Sequence, residues 1–298
     1  MLVEGKNQPQ LSGYQDSACD FSKINATFDW STVFTELTEF KWAYTRSFGT
    51  IPPVLLTPPD LLILDLKHNN LSSLSDLDFS TAGNLAQFDV SHNNVQGSLP
   101  SGLAADSFIS VVELGFNKLT GTVPSGFAAD PELVQFNLAS NLLTGKLPDF
   151  GEESVFTFLD VSNNRFSGTI PHYIGDFGQG GSGLLTLLLN DNQLTGTIPA
   201  AVAQLTMLDT IFLGNNLLTG PIPDLSGLTN VGAAVDSEGA DFAGGNIFHC
   251  PVPDASNEIY DTMNCTCAAG FQCIGTALAN NAQLCAFPSP GNGAFSCA

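Results

Sequence analysis

The sequence predicts an α/β-type, mostly-β solenoid, with one strand per coil stacked into a parallel sheet, and three observations carry that prediction. A phrase of the form Asn-x-Leu-x-Gly-x-(Ile/Leu/Val)-Pro, seen in full from Asn117 to Pro124, returns along the chain. Its asparagines, Asn69, Asn93, Asn117, Asn141, Asn164, Asn192 and Asn216, stand 24, 24, 24, 23, 28 and 24 residues apart. A period near 24 marks coils that each touch only their neighbours. Upstream of each Asn runs an apolar alternation, such as Leu133-x-x-Phe136-x-Leu138-x-x-Asn141, which reads as a short strand.

Each letter of the phrase has a physical task. Asn carries a donor and an acceptor, so at the strand's end its side chain bonds turn backbone that burial would otherwise leave unpaired. The Leu, Ile and Val positions fill the coil. Gly admits backbone angles that other residues avoid, and Pro closes the next extended piece without needing a donor.

The Leu-Thr-Gly-Thr-Ile-Pro wording at Leu194 to Pro199, nearly repeated at Leu119 to Pro124 and Leu218 to Pro223, resembles the plant-specific subclass of leucine-rich repeats. About eight coils cover residues 37–235, and seven of them carry the Asn. The resemblance implies a right-handed curved solenoid with a parallel sheet on its concave face and a second short strand per coil at Gly-x-Ile-Pro. It also implies a secreted or receptor-ectodomain setting in which proteins, peptides or glycans are bound. Residues 1–36 are expected to form an N-terminal cap, and 236–298 a C-terminal cap with a Cys-rich segment.

Charge narrows the partners. Charged residues make up 12% of the chain, and 29 acids against 8 bases give a formal charge of -21. Phosphate binding draws on clustered Lys and Arg, so nucleic acid is excluded. After Arg165 there is no Lys or Arg while ten acids follow, which favours a cationic or neutral partner. No run reaches 18 apolar residues, so no transmembrane segment is expected. The start, Met1 to Gln8, lacks an apolar signal core, so either a leader has been removed or the sequence is a fragment. Six of the seven Cys follow residue 249, which argues for an oxidising, extracellular or cell-surface compartment.

Several coils depart from the pattern. In the N-terminal cap, Cys19, Trp30 and Phe34 are available to cover the first coil. Plant-type caps carry a cysteine pair, and only Cys19 is present; it is either unpaired or joined to a residue or chain outside the sequence. The first coil has Thr45 where Asn belongs. The coil from Leu61 keeps Asn69 and Leu71 but replaces Gly-x-Ile-Pro by Ser-Ser-Leu-Ser-Asp, so its second strand is in doubt. Four extra residues before Asn192 fall in the flexible run Gly178 to Gly183. The stretch Phe242 to Pro251 resembles the plant-type C-terminal cap. Cys250, Cys265, Cys267, Cys273, Cys285 and Cys297 suit three disulfides, with 15 pairings open.

Stacking brings equivalent positions into columns about 4.8 Å apart per step. One column reads Lys41, Asp65, Asp89, Glu113, Asn137, Asp160, Leu188 and Phe212, acidic first and apolar later. Beside it run Tyr44, His68, His92, Phe116, Ser140, Asn163, Asp191 and Asn215. Rings supply rigid contact area and carboxylates select a cationic or hydroxyl-rich partner. The candidate face therefore comprises Tyr44, Asp65, His68, Asp89, His92, Glu113, Phe116, Phe158, Asp160, Leu188 and Phe212. Leu-Asp-Leu-Ser-x-Asn is also ordinary wording for plant-type coils, which offers a structural reading of Asp65, Asp89 and Asp160.

No metal site or cofactor is expected. His68 and His92 lie near Asp65 and Asp89, but a flat sheet converges poorly on a tetrahedral ion. His249 with the following cysteines has zinc-ligand types, and an oxidising setting favours disulfides there. His172 has no nucleophile motif beside it, so the chain reads as non-enzymatic. Sequons at Asn25, Asn70 and Asn264 offer glycosylation sites. Three functions fit: an extracellular recognition module, a structural subunit of a cell-surface assembly, or an inhibitor of a secreted hydrolase.

Overall fold

The structure is a computed structural model. It describes residues 2–4, 10–12, 18–23, 30–103, 108–129, 131–148, 155–176, 183–225, 227–231, 240–241, 245–249, 272–274 and 284–286. The chain divides into two compact units, 1–144 and 145–298, which are taken in turn.

In the first unit, each coil contributes one three-residue strand to a parallel sheet: Glu39–Lys41, Ile63–Asp65, Gln87–Asp89, Val111–Glu113 and Gln135–Asn137. Gln10–Ser12 extends this sheet in parallel, and Leu2–Glu4 pairs antiparallel to it. Registers step by one coil, so Phe40, Leu64, Phe88, Val112 and Phe136 face one another as a column. All five are buried. Removing one such side chain, Phe136→Ala for instance, costs about 3–5 kcal/mol. A second row of short strands follows the ladder Asn. Gln96–Gly97, Lys118–Gly121 and Leu142–Gly145 pair in parallel, whereas Asn70–Leu71 pairs back to Phe48–Gly49.

The second unit repeats the scheme. Phe158–Asp160, Thr186–Leu188, Thr210–Phe212 and Ala240–Asp241 form its first sheet. Arg165–Thr169, Gln193–Gly196, Leu217–Pro221 and Ile247–His249 form its second. Gln272–Ile274 and Leu284–Ala286 make a separate antiparallel pair. Helix is confined to short 3-10 turns and the four-residue turn Trp30–Val33 among the described residues.

Asparagines tie each coil to the one before it. Asn117 Oδ1 accepts the Val95 N–H at 3.0 Å, and its Nδ2 donates to the carbonyls of Val90, Leu114 and Gly115 at 3.0, 3.1 and 3.2 Å. Asn93, Asn141, Asn192 and Asn216 repeat this arrangement. One member escaped the repeat count: Asn246, 30 residues after Asn216, accepts from Leu218 N–H at 2.9 Å and donates to the Leu213 carbonyl at 2.9 Å. Its bonds repeat the ladder arrangement within the stretch expected to be cap.

The first coil shows how Thr45 replaces Asn. Thr45 Oγ1 and the backbone N–H groups of Thr45 and Ser47 all donate to Asn69 Oδ1. Ser47 Oγ then accepts from Trp42 Nε1 and from the Cys19 N–H. Two buried hydroxyls thus do the work of one amide. Cys19 is half-buried and its thiol is free.

Candidate functional site

Each residue that precedes a ladder Asn turns through the left-handed region. The φ values are 58° at Tyr44, 54° at His68, 53° at His92 and 57° at Phe116. Side chains other than Gly, Asn and Asp adopt this region at a cost, so its repetition at four rings is a property of the coil's turn. The turn sends every ring off the strand end in the same direction. Consecutive rings then lie one coil apart and stack: Tyr44 on His68 at 4.2 Å, His68 on His92 at 4.1 Å, His92 on Phe116 at 4.2 Å, with planes within 14°.

This geometry decides what the column can offer. The inner ring faces are consumed within the stack, leaving the ring edges and the outer faces of the two end rings. Tyr44 and Phe116 at the two ends remain 47% and 50% exposed. Burial, then the charge of neighbouring His68, holds the His92 pKa below the ordinary 6.5, with Asp89 opposing. The neutral imidazole is the form the stack favours.

The neighbouring acidic column is built differently from the expected outward strip. Asp65 and Asp89 are only 8% and 4% exposed. Asp65 Oδ1 accepts the Lys67 N–H at 3.1 Å, and Asp89 Oδ1 accepts the N–H and hydroxyl of Ser91 at 3.0 and 2.7 Å. Their other oxygens hold the Lys67 ammonium at 3.0 and 3.4 Å. Burial alone would lower the Lys67 pKa, but the bond and charge of Asp65, joined by Asp89, raise it above its usual value. Asn137 shows the same device with an amide, its Oδ1 accepting the Ala139 N–H at 3.0 Å. Glu113 is half-buried on the strand between.

In the second unit Asp160 is buried and accepts the Ser162 N–H at 2.9 Å. Burial raises its pKa, and the Ser162 bonds only partly offset that. Phe158, Leu188 and Phe212 are half-buried on the open face of their sheet. The turn positions there are polar: Asp191 accepts from Asn190 Nδ2 at 2.6 Å and from Asn215 Nδ2 at 2.9 Å.

Of the remaining expected sites, Asn70 is exposed, while Asn25 and Asn264 lie outside the described residues. Cys250, Cys265, Cys267 and Cys297 lie outside them too, as does the run 178–182. Only the backbones of Cys273 and Cys285 are described, opposite each other in the antiparallel pair. No group of three metal-ligand side chains and no helix long and apolar enough to cross a membrane occurs among the described residues.

Residues 156–177 and 183–205 match the family model described as Leucine Rich Repeat. The chain folds as a leucine-rich-repeat solenoid and is similar to plant members of that family. Over 75 residues it is 35% identical to Receptor-like protein 31 of Arabidopsis thaliana, a match covering 25% of this leucine-rich-repeat chain and 8% of the relative. Its fold is similar to the Arabidopsis receptor kinase HAESA, solved with the peptide hormone IDA and the co-receptor SERK1. There the TM-score is 0.67 at 27% identity, over 82% of this chain and 39% of that one. A plant ice-binding protein shares the fold alone, with a TM-score of 0.58 at 23% identity over 80% and 70% of the two chains. The chain thus spans about two fifths of that receptor structure's chain and 8% of the curated relative.

Proposed function

We propose that this leucine-rich-repeat protein is a non-enzymatic recognition module that works outside the cell. It holds a protein or peptide partner on the open face of its first sheet, anchored at the Tyr44, His68, His92 and Phe116 column. The observation that carries this reading is the exposed, pre-stacked ring column, which holds four rings in one geometry before any partner arrives. Rings fixed in advance lose little conformational freedom on binding, and aromatic anchors contribute about 2 kcal/mol or more each when truncated. The likeness to a peptide-hormone receptor ectodomain supports the class of partner.

A displayed peptide and ectodomain library, screened against the full chain, supplies the partner for the test. Tyr44→Ala with Phe116→Ala leaves folding intact, since both rings lie outside the coil interior, and weakens binding at least tenfold. Undiminished affinity in a folded double variant overturns the assignment of this face. A polymer as the native mass species would favour the structural-subunit reading instead.

A further inference from the structure

The coil from Leu61 keeps the 24-residue step from Asn69 to Asn93 but is one residue short just after its ladder Asn, and this leaves a gap. From the ladder position to the buried apolar residue that follows the second-row strand, the count is six in Thr45 to Ile51, Asn93 to Leu99, Asn117 to Val123, Asn141 to Leu147, Asn164 to Ile170, Asn192 to Ile198 and Asn216 to Ile222. In Asn69 to Leu74 it is five. The deleted position is the one whose side chain, in other coils, covers the glycine of the next coil. A Cβ built on Gly121 would sit 3.6 Å from Ser98 Cβ, and one on Gly196 or Gly220 would strike a Thr169 or Thr197 methyl at 2.8 or 2.5 Å. At Gly97, φ +92°, nothing lies within 4 Å. The strand pairing breaks at the same place, leaving the isolated bridge of Ser73 to Gln96.

The resulting open cleft measures about 820 Å³, with Gly97 as its floor and Ser72, Ser73, Ser75, Gln96, Ser98 and Ser101 among its walls. That volume falls within the range of small-molecule sites, about 300–1,000 Å³. No charged side chain lines it. Its hydroxyls are oriented. Ser75 Oγ donates to Asp76 Oδ1 at 3.1 Å, so the 2.9 Å bond between Ser73 and Ser75 is donated by Ser73. Ser72 Oγ donates to the Gly49 carbonyl at 3.0 Å. Three hydroxyl protons are therefore committed to protein acceptors; Ser73 Oγ already accepts the Ser75 N–H at 3.0 Å and Ser75 Oγ the Ser73 proton, and each oxygen keeps a lone pair for a further donor. With no charged side chain in its lining, the wall offers no countercharge to a carboxylate, a phosphate or a cation. It suits a neutral ligand rich in hydroxyl donors, for which the Gln96 amide supplies a returning donor.

We infer that this cleft binds a neutral saccharide. The test is calorimetric titration of the full chain with cellotetraose, maltotetraose and, as the charged comparison, tetragalacturonate. Saturable binding of a neutral tetraose, absent for tetragalacturonate, is expected. Gln96→Ala with Ser98→Ala weakens it about tenfold, as the loss of two neutral hydrogen bonds predicts. A Thr inserted between Ser73 and Leu74 restores the six-residue count and abolishes binding, while Tyr44→Ala with Phe116→Ala leaves it unchanged. No binding of either neutral tetraose at millimolar concentration, preference for the galacturonate, or unchanged affinity in the folded Gln96 and Ser98 double variant would each overturn the inference.

Discussion

Replacing Asn117 by Ala is the sharpest perturbation of the coil. The side chain is buried and serves four backbone groups of two coils. Its loss leaves the Val95 N–H without its acceptor, a cost of about 1–3 kcal/mol for a buried donor. Two amide protons shared among three carbonyls add about 1 kcal/mol each when removed. Together these give about 3–5 kcal/mol, against about 5–15 kcal/mol for a whole domain. A water entering the vacated space recovers part of this, which sets the lower figure. Urea unfolding followed by tryptophan fluorescence measures it, comparing Asn117→Ala, Asn117→Asp and the exposed control Gln135→Ala. Asn117→Asp keeps an acceptor but sets a buried charge against three carbonyls, so it is at least as damaging. If Asn117→Ala unfolds within 1 kcal/mol of the unaltered chain, the ladder is not what joins the coils.

Asp89→Ala, which removes the acceptor for Ser91 and one partner of Lys67, should lower stability by about 1–3 kcal/mol in the same urea assay. Asp160→Asn should hold or raise stability at pH 7, because the amide keeps the Ser162 bond and sheds a charge whose pKa burial has raised; a clear loss would contradict that account. Asn137 already fills the corresponding position in its own coil. The ring column should respond to acid: folding lowers the His92 pKa, so the unfolded chain takes up that proton first as pH falls. The His92 contribution is then full above pH 6.5 and declines below it as the proton is forced onto the stack. Comparing urea midpoints of the unaltered chain and His92→Phe at pH 7.5 and 5 checks the sign, with the variant losing less on acidification.

Period and alternation made the strands, the buried columns and most of the ladder legible, because each depends on residue type at a fixed interval. The ring column followed from the same arithmetic, but its stacking did not, since that rests on a left-handed turn at Tyr44, His68, His92 and Phe116. A signal was present: Asn163, Asp191 and Asn215, residues that tolerate this conformation, occupy the same position in other coils. The acids could be read two ways for a physical reason. A carboxylate on the open face and one folded back onto the N–H two residues later have the same spacing, and only burial separates them. Asn246 was hidden by a 30-residue step. Thr45 departs from the ladder pattern, and its bonds are replaced through Ser47 and Asn69, a compensation that residue spacing alone does not reveal.

Hydrogen exchange on the partner-bound chain tests the recognition face most directly, because it maps both sheets in one experiment. The account predicts added protection in peptides that cover residues 41–46, 65–70, 89–94 and 113–118, with the second-sheet segments 95–99 and 118–122 unchanged beyond their overlap. Protection confined to the second sheet, or to the segment after residue 240, would contradict it.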